Sequence, residues 1–440
     1  MILILFQIIN ITMIKFLPFI YFVNVISSNY IIFTDDILNS NKNYKKNSKK
    51  NNFRHYINQS ATYEDVTKLF NTTNVIDLNE FKTHELKFKN YKNKNKMIHY
   101  NTEDVCEIYN DNYSFRNLWN LDIINQKGSN TGNGTGIVTV VIDTGVNDHY
   151  EFKYTKRFEC TTSINDYFNP QELCETVNNN TINDINGHGT HIAGTILGKN
   201  TGIAHGSDLY VFSIDNNDCD NDGLPYLNSA LMHLVFLSNN NPTTKYIINL
   251  SLGYSTSLND NLLNAYSYYL KLILNNALYP HNILFVKSAG NSNDNARNYP
   301  INYFCRYYIQ NCIIVGAINI NHEKSWYSNY GDTVNIYAPG GDDTTDIMIL
   351  SSSNFGKGYY VHLQGTSMAA PHVTGVAAVL WQLNPHFTSE ELKKYIIKTS
   401  KTYNNRKHLY INYNNTNNSI ILKITLTYYI FITTLYFVIF

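Results

Sequence analysis

The sequence carries no net charge and has few charged residues. Lysine and arginine together number 34, as do aspartate and glutamate, and all four make up 15% of the 440 residues, against about a quarter in an average soluble domain. This balance removes any bulk electrostatic argument for binding nucleic acid or an anionic surface, so no nucleic-acid partner is expected. Asparagine, tyrosine, isoleucine and lysine are abundant instead, which is typical of very AT-rich genomes such as those of malaria-type apicomplexan parasites.

The sequence also lacks any Cys-x-x-Cys pair, which argues against a zinc site. Its even number of cysteines favours disulfides if the chain is secreted. Two pairs bracket short polar segments, so we predict links from Cys160 to Cys174 and from Cys305 to Cys312. Spacing alone does not determine connectivity, and Cys106 and Cys219 are left unassigned.

The N-terminus has the layout of a secretory signal peptide over residues 1–28. From Met13 it shows a short basic start with Lys15, an apolar run over Phe16–Ile26, and small residues at Ser27 and Ser28. A retained membrane anchor is the alternative. The sequence leaves open whether translation starts at Met1 or Met13.

The C-terminus ends in an apolar tail over residues 420–440, after an Asn-rich segment at 403–419 that we predict to be disordered. The run after Lys423 is slightly shorter than the roughly 20 residues that a membrane-spanning helix needs. Three interpretations follow: a removable signal for a glycolipid anchor attached around Asn417–Ser419, a transmembrane tail, or neither.

Residues 29–116 contain little glycine and much lysine and asparagine. They include two candidate strands, Tyr30–Phe33 and Val105–Tyr109, and a candidate helix at Tyr63–Phe70. The composition therefore predicts a small α+β segment that ends near Asn117, ahead of the main domain.

Residues 117–402 alternate short β-branched runs with helical periodicity. Uninterrupted apolar runs bounded by Gly, Asn and Asp are typical of strands buried on both faces of a parallel sheet. The predicted strands are Ile137–Ile142, Leu209–Ile214, Tyr246–Leu250, Ile283–Val286 and Cys312–Ala317. The predicted helices are His188–Leu197, Tyr226–Leu237, Asn261–Asn275, Ser367–Leu383 and Ser389–Thr399, the last with Ser389 as its N-cap. This order predicts an α/β domain with an open, mostly parallel sheet covered by helices on both faces.

Two acid–base candidates lie where elements meet. Asp143 ends the run IVTVVIDTGV and could accept a hydrogen bond from an imidazole, although alone it could simply cap a turn. His188 lies in NGHGTHIAGTILG and could act as a general base. His191 follows three residues later, so HGTH alone could equally be a metal-binding pair or a structural turn.

A nucleophile and an oxyanion donor complete the set. Ser367 lies in GTSMAAPHVTG at a predicted helix N-terminus, where N–H groups and the helix dipole favour a developing oxyanion, although alone it could be an N-cap. Asn291 ends ILFVKSAGN, and its amide could donate to the same oxyanion, although Asn is also a good turn residue.

Taken together and in the order Asp, His, Ser, these segments resemble those of the subtilisin family (subtilases) over about residues 117–402. The resemblance implies a serine endopeptidase whose catalytic residues are Asp143, His188, Ser367 and Asn291. It also implies a substrate-binding edge strand at Ser251, Leu252 and Gly253, and a primary-specificity pocket wall at Ser288, Ala289 and Gly290. Trp119–Asp122 is similar to the opening of a mature subtilase domain.

The resemblance further implies protein or peptide substrates and a zymogen whose residues 29–116 act as an inhibitory propeptide. No cofactor is required. Gly198–Gly206 is too short for the calcium loop of many relatives, and the acidic run Asp215–Gly223 lacks the glutamate of an EF-hand loop, so a structural calcium ion is left unassigned. The alternative function is a surface binding or adhesion protein with little turnover on the same scaffold.

Overall fold

The computed structural model describes residues 22–23, 30–33, 75–77, 97–98, 108–109, 118–126, 132–153, 156–160, 173–177, 184–214, 224–254, 281–345 and 347–411. The chain divides into two compact units, Met1–Lys94 and Asn95–Phe440. The first unit holds a three-stranded antiparallel sheet of β1 (Phe22–Val23), β2 (Tyr30–Phe33) and β3 (Val75–Asp77). The strand expected at Tyr30–Phe33 is therefore present.

The second unit is built on a ten-stranded sheet. Its strands are β6 (Ile137–Asp143), β7 (Lys156–Cys160), β8 (Cys174–Thr176), β9 (Asp208–Ser213), β10 (Lys245–Leu250), β12 (Ile283–Ser288), β13 (Cys312–Ile318), β14 (Ile336–Pro339), β17 (Lys401–Tyr403) and β18 (Arg406–His408). Shorter strands outside this sheet are β4 (Met97–Ile98), β5 (Ile108–Tyr109), β11 (Gly253–Tyr254), β15 (Ile349–Ser352) and β16 (Tyr360–Leu363). All five predicted strands of this domain are present within one or two residues of their expected bounds.

The sheet runs in the order β17-β18-β14-β13-β12-β10-β6-β9-β7-β8. Every pair from β18 to β7 is parallel, and only the outermost pairs, β17–β18 and β7–β8, are antiparallel. Because the strands are parallel, the carboxyl ends of the neighbours β6, β10 and β12 meet at one edge, which is where ligands bind in open α/β sheets.

Helices cover both faces of the sheet. They are α1 (Trp119–Ile123), α2 (His188–Leu197), α3 (Leu224–Asn240), α4 (Pro300–Tyr308), α5 (Thr366–Leu383) and α6 (Ser389–Thr399). On one face, α5 packs on Leu284, Val286 and Val315, while Ile192 of α2 packs with Val141 and Val211. On the other face, Phe212 stacks on Phe158 at 4.4 Å between ring centroids, and His233 of α3 lies against Phe158. The mostly parallel sheet with helices on both faces is therefore confirmed.

Several sequence expectations need comment. Part of the segment 403–419, which was predicted to be disordered, is ordered instead: β18 (Arg406–His408) pairs with β14 and β17, and the described residues continue to 411. Helix α6 begins at Ser389, but Thr388 is its N-cap and forms a capping box with Glu391, so the assignment of Ser389 as the cap was wrong. The helices expected at Tyr63–Phe70 and Asn261–Asn275, the acidic run Asp215–Gly223 and the tail at 420–440 lie outside the described residues. Among the residues that are described, no helix combines the length and apolar character needed to cross a membrane.

Both predicted disulfides are present, Cys160–Cys174 and Cys305–Cys312. The first joins β7 to β8, where the two cysteines are directly paired across the antiparallel strands. The disulfide therefore links the outermost strand, β8, to β7, which pairs with β9.

Replacing Cys160 and Cys174 together by serine should lower the free energy of unfolding by about 3 kcal/mol, because the link closes a loop with a sequence separation of 14 and restricts the unfolded chain. Equilibrium urea unfolding followed by tryptophan fluorescence measures the change. An unchanged transition midpoint would contradict this role for the disulfide.

Candidate active site

Asp143 and His188 form a buried hydrogen-bonded pair. Asp143 ends β6 and His188 begins α2, and neither side chain is exposed. The carboxylate can only accept, so His188 Nδ1 donates to Asp143 Oδ1 at 2.7 Å, while the Thr144 N–H donates to the same oxygen at 2.8 Å. In neutral His188 this tautomer leaves Nε2 as the basic nitrogen, which is the arrangement a general base needs.

A second buried carboxylate, Asp184, organises the turn that carries His188, and sequence analysis did not identify it. Its oxygens accept from the N–H groups of Gly187 and Thr190, both at 2.8 Å, and from the Thr190 hydroxyl at 2.6 Å. The Thr144 hydroxyl also donates to Asp184, at 2.8 Å, and accepts from the N–H of Gly189. Asp184 thus ties the turn before α2 to the residue that follows Asp143.

Gly189 allows His188 to lie this close to the end of β6. A Cβ atom built on Gly189 would lie 2.0 Å from the carbonyl oxygen of Gly145, a distance no side chain can occupy. The glycine in the His188 motif therefore has a packing reason in addition to any role in substrate approach.

The surroundings of His188 raise its pKa and so stabilise its protonated form. Burial opposes its charged form, but the charge and hydrogen bond of Asp143, together with the charge of Asp184, outweigh this effect and raise the pKa of His188 above its usual value. His191 differs: burial lowers its pKa to about 3, and its Nε2 donates to the carbonyl of Ile349 at 3.0 Å. His191 is therefore a neutral core residue facing β15.

Replacing Asp184 by asparagine should shift the acidic limb of the kcat/KM profile toward lower pH. The resemblance to subtilases implies that His188 is a general base, which must be unprotonated, so the rate is expected to rise as the pH passes the pKa of His188. Removing a nearby negative charge lowers that pKa. Rate measurements with a peptide substrate from pH 5 to 9 test this. The matched control is Asp148→Asn, which removes a carboxylate paired with Arg157 and should leave the limb in place. A limb that does not move in Asp184→Asn would contradict the coupling.

Ser367 is the second residue of α5, and Gly365, not Ser367, is the N-cap of that helix. Proline at position 371 has no N–H to donate to the carbonyl four residues earlier, which is that of Ser367. The Ser251 hydroxyl donates to this carbonyl at 2.9 Å, and the Ser367 hydroxyl donates to the Ser251 carbonyl at 3.3 Å. These reciprocal contacts place Ser367 at the carboxyl end of β10.

The amide of Asn291 is held in one orientation by Thr366. Asn291 Oδ1 accepts from the Thr366 N–H at 2.9 Å and from its hydroxyl at 2.7 Å, and the same hydroxyl accepts from the Gly290 N–H at 3.0 Å. With Oδ1 engaged, Nδ2 is the part of the amide that remains to donate to a ligand. Sequence analysis did not identify Thr366, although it precedes the candidate nucleophile directly.

Two donors converge beside Gly365. A Cβ atom on this residue would lie 3.1 Å from Asn291 Nδ2 and 3.6 Å from the backbone nitrogen of Ser367, and the φ of Gly365 is +149°. The Ser367 N–H belongs to the first helical turn, where N–H groups have no partner within the helix. The space above Gly365 is thus lined by a side-chain donor and a backbone donor, as an oxyanion site requires.

The predicted residues meet at the carboxyl edge of the sheet. Asp143, Ser251 and Asn291 follow or end the neighbouring strands β6, β10 and β12, and the contacts described above attach His188 to the first and Ser367 to the second. The predicted pocket wall, Ser288, Ala289 and Gly290, is buried beside this edge.

The predicted substrate-binding strand also lies at this edge. Ser251 and Leu252 are buried, and Gly253 begins β11, which pairs antiparallel with β4. Within the described part of the chain, no group of three or more His, Cys, Asp or Glu side chains could hold a metal ion.

The sequence is similar to those of known proteases. The model of the subtilase family matches residues 134–418. The thermostable alkaline protease of Halalkalibacterium halodurans is 33% identical over 301 residues, which cover 67% of this chain and 70% of that protein. Subtilisin BL of Lederbergia lenta is 29% identical over 272 residues, which cover 61% of this chain and 84% of that protein.

The fold is similar to that of a solved cold-adapted subtilisin-like serine proteinase. The two share 27% sequence identity with a TM-score of 0.50, over 66% of this chain and 97% of the other. The range matched by the subtilase family model, residues 134–418, includes Asp143, His188 and Ser367.

Proposed function

Because the chain belongs to the subtilase family of serine endopeptidases, we propose that it hydrolyses peptide bonds in proteins or peptides with Asp143, His188 and Ser367 as its catalytic triad. The observation that carries the proposal is the buried 2.7 Å hydrogen bond from His188 to Asp143, one strand away from the carbonyl contact that holds Ser367.

In the proposed acylation step, the Ser367 hydroxyl turns from the Ser251 carbonyl to His188, since one O–H can donate to only one of them at full strength. Its oxygen attacks the substrate carbonyl carbon as His188 Nε2 takes the proton. Asn291 Nδ2 and the Ser367 N–H donate to the resulting oxyanion. When the C–N bond breaks, His188 gives its proton to the leaving amine.

In the proposed deacylation step, a water molecule replaces the amine. His188 removes a proton from this water, whose oxygen attacks the acyl carbon, and the same two donors stabilise the second oxyanion. The C–O bond to Ser367 breaks, and Ser367 regains its proton from His188. Asp143 stays ionised throughout, orienting the imidazole and stabilising its charged form.

We propose that substrate adds as a strand beside Ser251–Gly253, with Ser288–Gly290 forming a wall of the primary-specificity pocket. The pairing of β4 with β11 supports this, because it shows that an extended segment can pair at Gly253. The same pairing involves Met97–Ile98, within the proposed propeptide at 29–116. It supports a zymogen in which this segment covers the substrate strand until the chain is cut near 100–117.

We further propose that the chain enters the secretory pathway and is exported or displayed at the cell surface. Two disulfides support this, since such links persist in oxidising compartments. Anchoring through the tail at 420–440, a structural calcium ion and an apicomplexan origin remain predictions from the sequence.

The test is labelling of the purified secreted protein with a fluorophosphonate, which reacts with activated serines, alongside Ser367→Ala. Mass spectrometry identifies the N-terminal residue of both proteins. We expect label on the wild type alone, together with a new N-terminus between residues 100 and 117 that the variant lacks.

A folded wild-type protein that takes no label and retains its original N-terminus would overturn the proposal. That outcome would favour the alternative of a surface binding or adhesion protein. Circular dichroism and the midpoint of thermal unfolding establish that both proteins are folded.

A further inference from the structure

The buried side chain of Asn329, from another part of the sequence, makes three hydrogen bonds to the loop that carries Asn291, residues 289–294. Asn302 Nδ2 also donates to the Ala289 carbonyl of this loop, at 2.7 Å. Asn329 Oδ1 accepts from the N–H groups of Ser292 and Asp294, both at 3.0 Å. Its Nδ2 donates to the carbonyl of Ala289 at 3.0 Å, and its backbone N–H donates to the carbonyl of Gly290 at 2.8 Å. We call residues 289–294 the oxyanion loop.

The contacts of Asn329 lie on both sides of Asn291. They engage the two residues before it, the residue directly after it, and the third residue after it. Asn329 itself is fully buried. One rigid, planar amide therefore fixes the backbone path from which Asn291 projects, using both its donor and its acceptor.

The segment around Asn329 is itself fixed against the oxyanion loop. The Tyr327 carbonyl accepts from the Asn293 N–H at 2.7 Å. Lys324 Nζ donates to Asn293 Oδ1 and to the carbonyl of Ser328, both at 3.0 Å. The segment that carries Asn329 is therefore itself held in place by hydrogen bonds, as a positioning group requires.

Thr366 and Asn329 divide the task of placing Asn291. Thr366 orients the side-chain amide of Asn291 and accepts from the Gly290 N–H, whereas Asn329 bonds only to the backbone of the loop, on both sides of Asn291. A loop displaced by about 1 Å would move Asn291 Nδ2 away from the oxyanion even with Thr366 unchanged, and misplacement of that size can cost about a hundredfold in rate.

We propose that Asn329 is a positioning residue for peptide hydrolysis, which acts by holding the oxyanion loop so that Asn291 meets the developing negative charge. The inference rests on the proposed function. Asn329 donates nothing to substrate in this scheme. Because it also bonds to Ala289 and Gly290 of the proposed pocket wall, a change in KM would report the pocket, whereas a change in kcat alone reports Asn291.

The test compares Asn329→Ala with wild type, with rates normalised to active sites titrated by fluorophosphonate. We expect kcat to fall about ten- to a hundredfold with KM within about threefold. The proposed pocket wall keeps its bonds from Asn302 Nδ2 to the Ala289 carbonyl and from the Asn329 N–H to the Gly290 carbonyl, whereas the charge that Asn291 meets develops only in the transition state. Affinity for a peptide aldehyde, whose adduct with Ser367 carries the oxyanion, should fall by a similar factor. Affinity for a non-covalent peptide inhibitor should not change.

The matched control is Asn319→Ala. Asn319 is also buried, and its Oδ1 also accepts from two backbone N–H groups at 3.0 Å, those of Asn321 and Glu323, but its turn does not carry Asn291. We expect this variant to keep wild-type kcat even where its unfolding midpoint drops. Asn329→Ser, which retains a hydroxyl acceptor, should lie between wild type and Asn329→Ala and serves if the alanine variant fails to fold.

A double-mutant cycle separates positioning from general destabilisation. In an Asn291→Ala background, changing Asn329 should lower kcat by less than about twofold further, because the donor it positions is gone. If wild type is active and the kcat of Asn329→Ala stays within about twofold of it, this inference alone is overturned; Asn329→Ser takes this place where the alanine variant does not fold. An equal loss of kcat with and without Asn291 also overturns it. A wild type that is inactive and unlabelled overturns the proposed function and this inference together.

Discussion

Replacing His188 by alanine should lower kcat by about a millionfold while KM changes by only a few-fold. The expectation takes its size from measurements on subtilisin itself, where removing either the serine or the histidine costs about as much as removing the whole triad. In the proposed mechanism Ser367 attacks only as its proton leaves, and His188, fixed by Asp143 at 2.7 Å, is the base that takes it.

The same reasoning predicts strong non-additivity. The double variant of His188→Ala with Ser367→Ala should be no slower than either single variant, because each change disables the same step. Because the proposed zymogen is cut by its own Ser367, inactive variants would retain the propeptide. All variants are therefore prepared with an engineered site for an unrelated protease between residues 100 and 117. His205→Ala, at an exposed histidine, is the control that should keep full activity. Residual activity of His188→Ala above about a hundredth of wild type would argue for a different base.

Replacing Asn291 by alanine should lower kcat by about a hundred- to a thousandfold, again a range known from the corresponding change in a subtilisin, and leave KM nearly unchanged. The amide is held with Oδ1 on Thr366 and Nδ2 beside the Ser367 N–H. In the proposed mechanism this donor meets charge that exists only after attack. An interaction made only in the transition state is lost from kcat and not from KM.

Steady-state kinetics on a peptide amide measure both constants for Asn291→Ala. Ser292→Ala, at the exposed neighbouring position, is the control and should behave as wild type. A raised KM with unchanged kcat would show that Asn291 binds the substrate carbonyl in the ground state, contrary to the proposed role.

The sequence allowed prediction of the features whose signal is local. The five strands and the bounds of α2 follow from uninterrupted β-branched runs and helical periodicity between glycines. Asp143, His188 and Ser367 could be singled out because each belongs to an unusual motif at the junction of two elements. Parallel strands then explain why residues far apart in the chain share one edge.

What the sequence did not reveal depends on contacts between distant segments. Asp184 lies in an unremarkable Asn-Asp stretch, and Asn329 is one asparagine among many in a composition biased toward that residue. Their roles come from burial and from the N–H groups they accept, which no local pattern encodes. The hairpin of β15 and β16 was also missed, because its runs of four residues each are too short for a periodicity signal.

The antiparallel pairs at the two margins of the large sheet have a consequence for how the molecule behaves in concentrated solution. An uncovered strand offers a row of N–H and C=O groups on which another chain can assemble. Here β7 pairs with β9, whose residues DLYVFS are mostly apolar, and β8 pairs with β7 in turn. The Cys160–Cys174 disulfide links these two outer strands covalently. Reduction of this disulfide should therefore weaken the pairing of β7 and β8 and promote self-association of the protein through β9. The protein should stay monomeric in storage when no reductant is present.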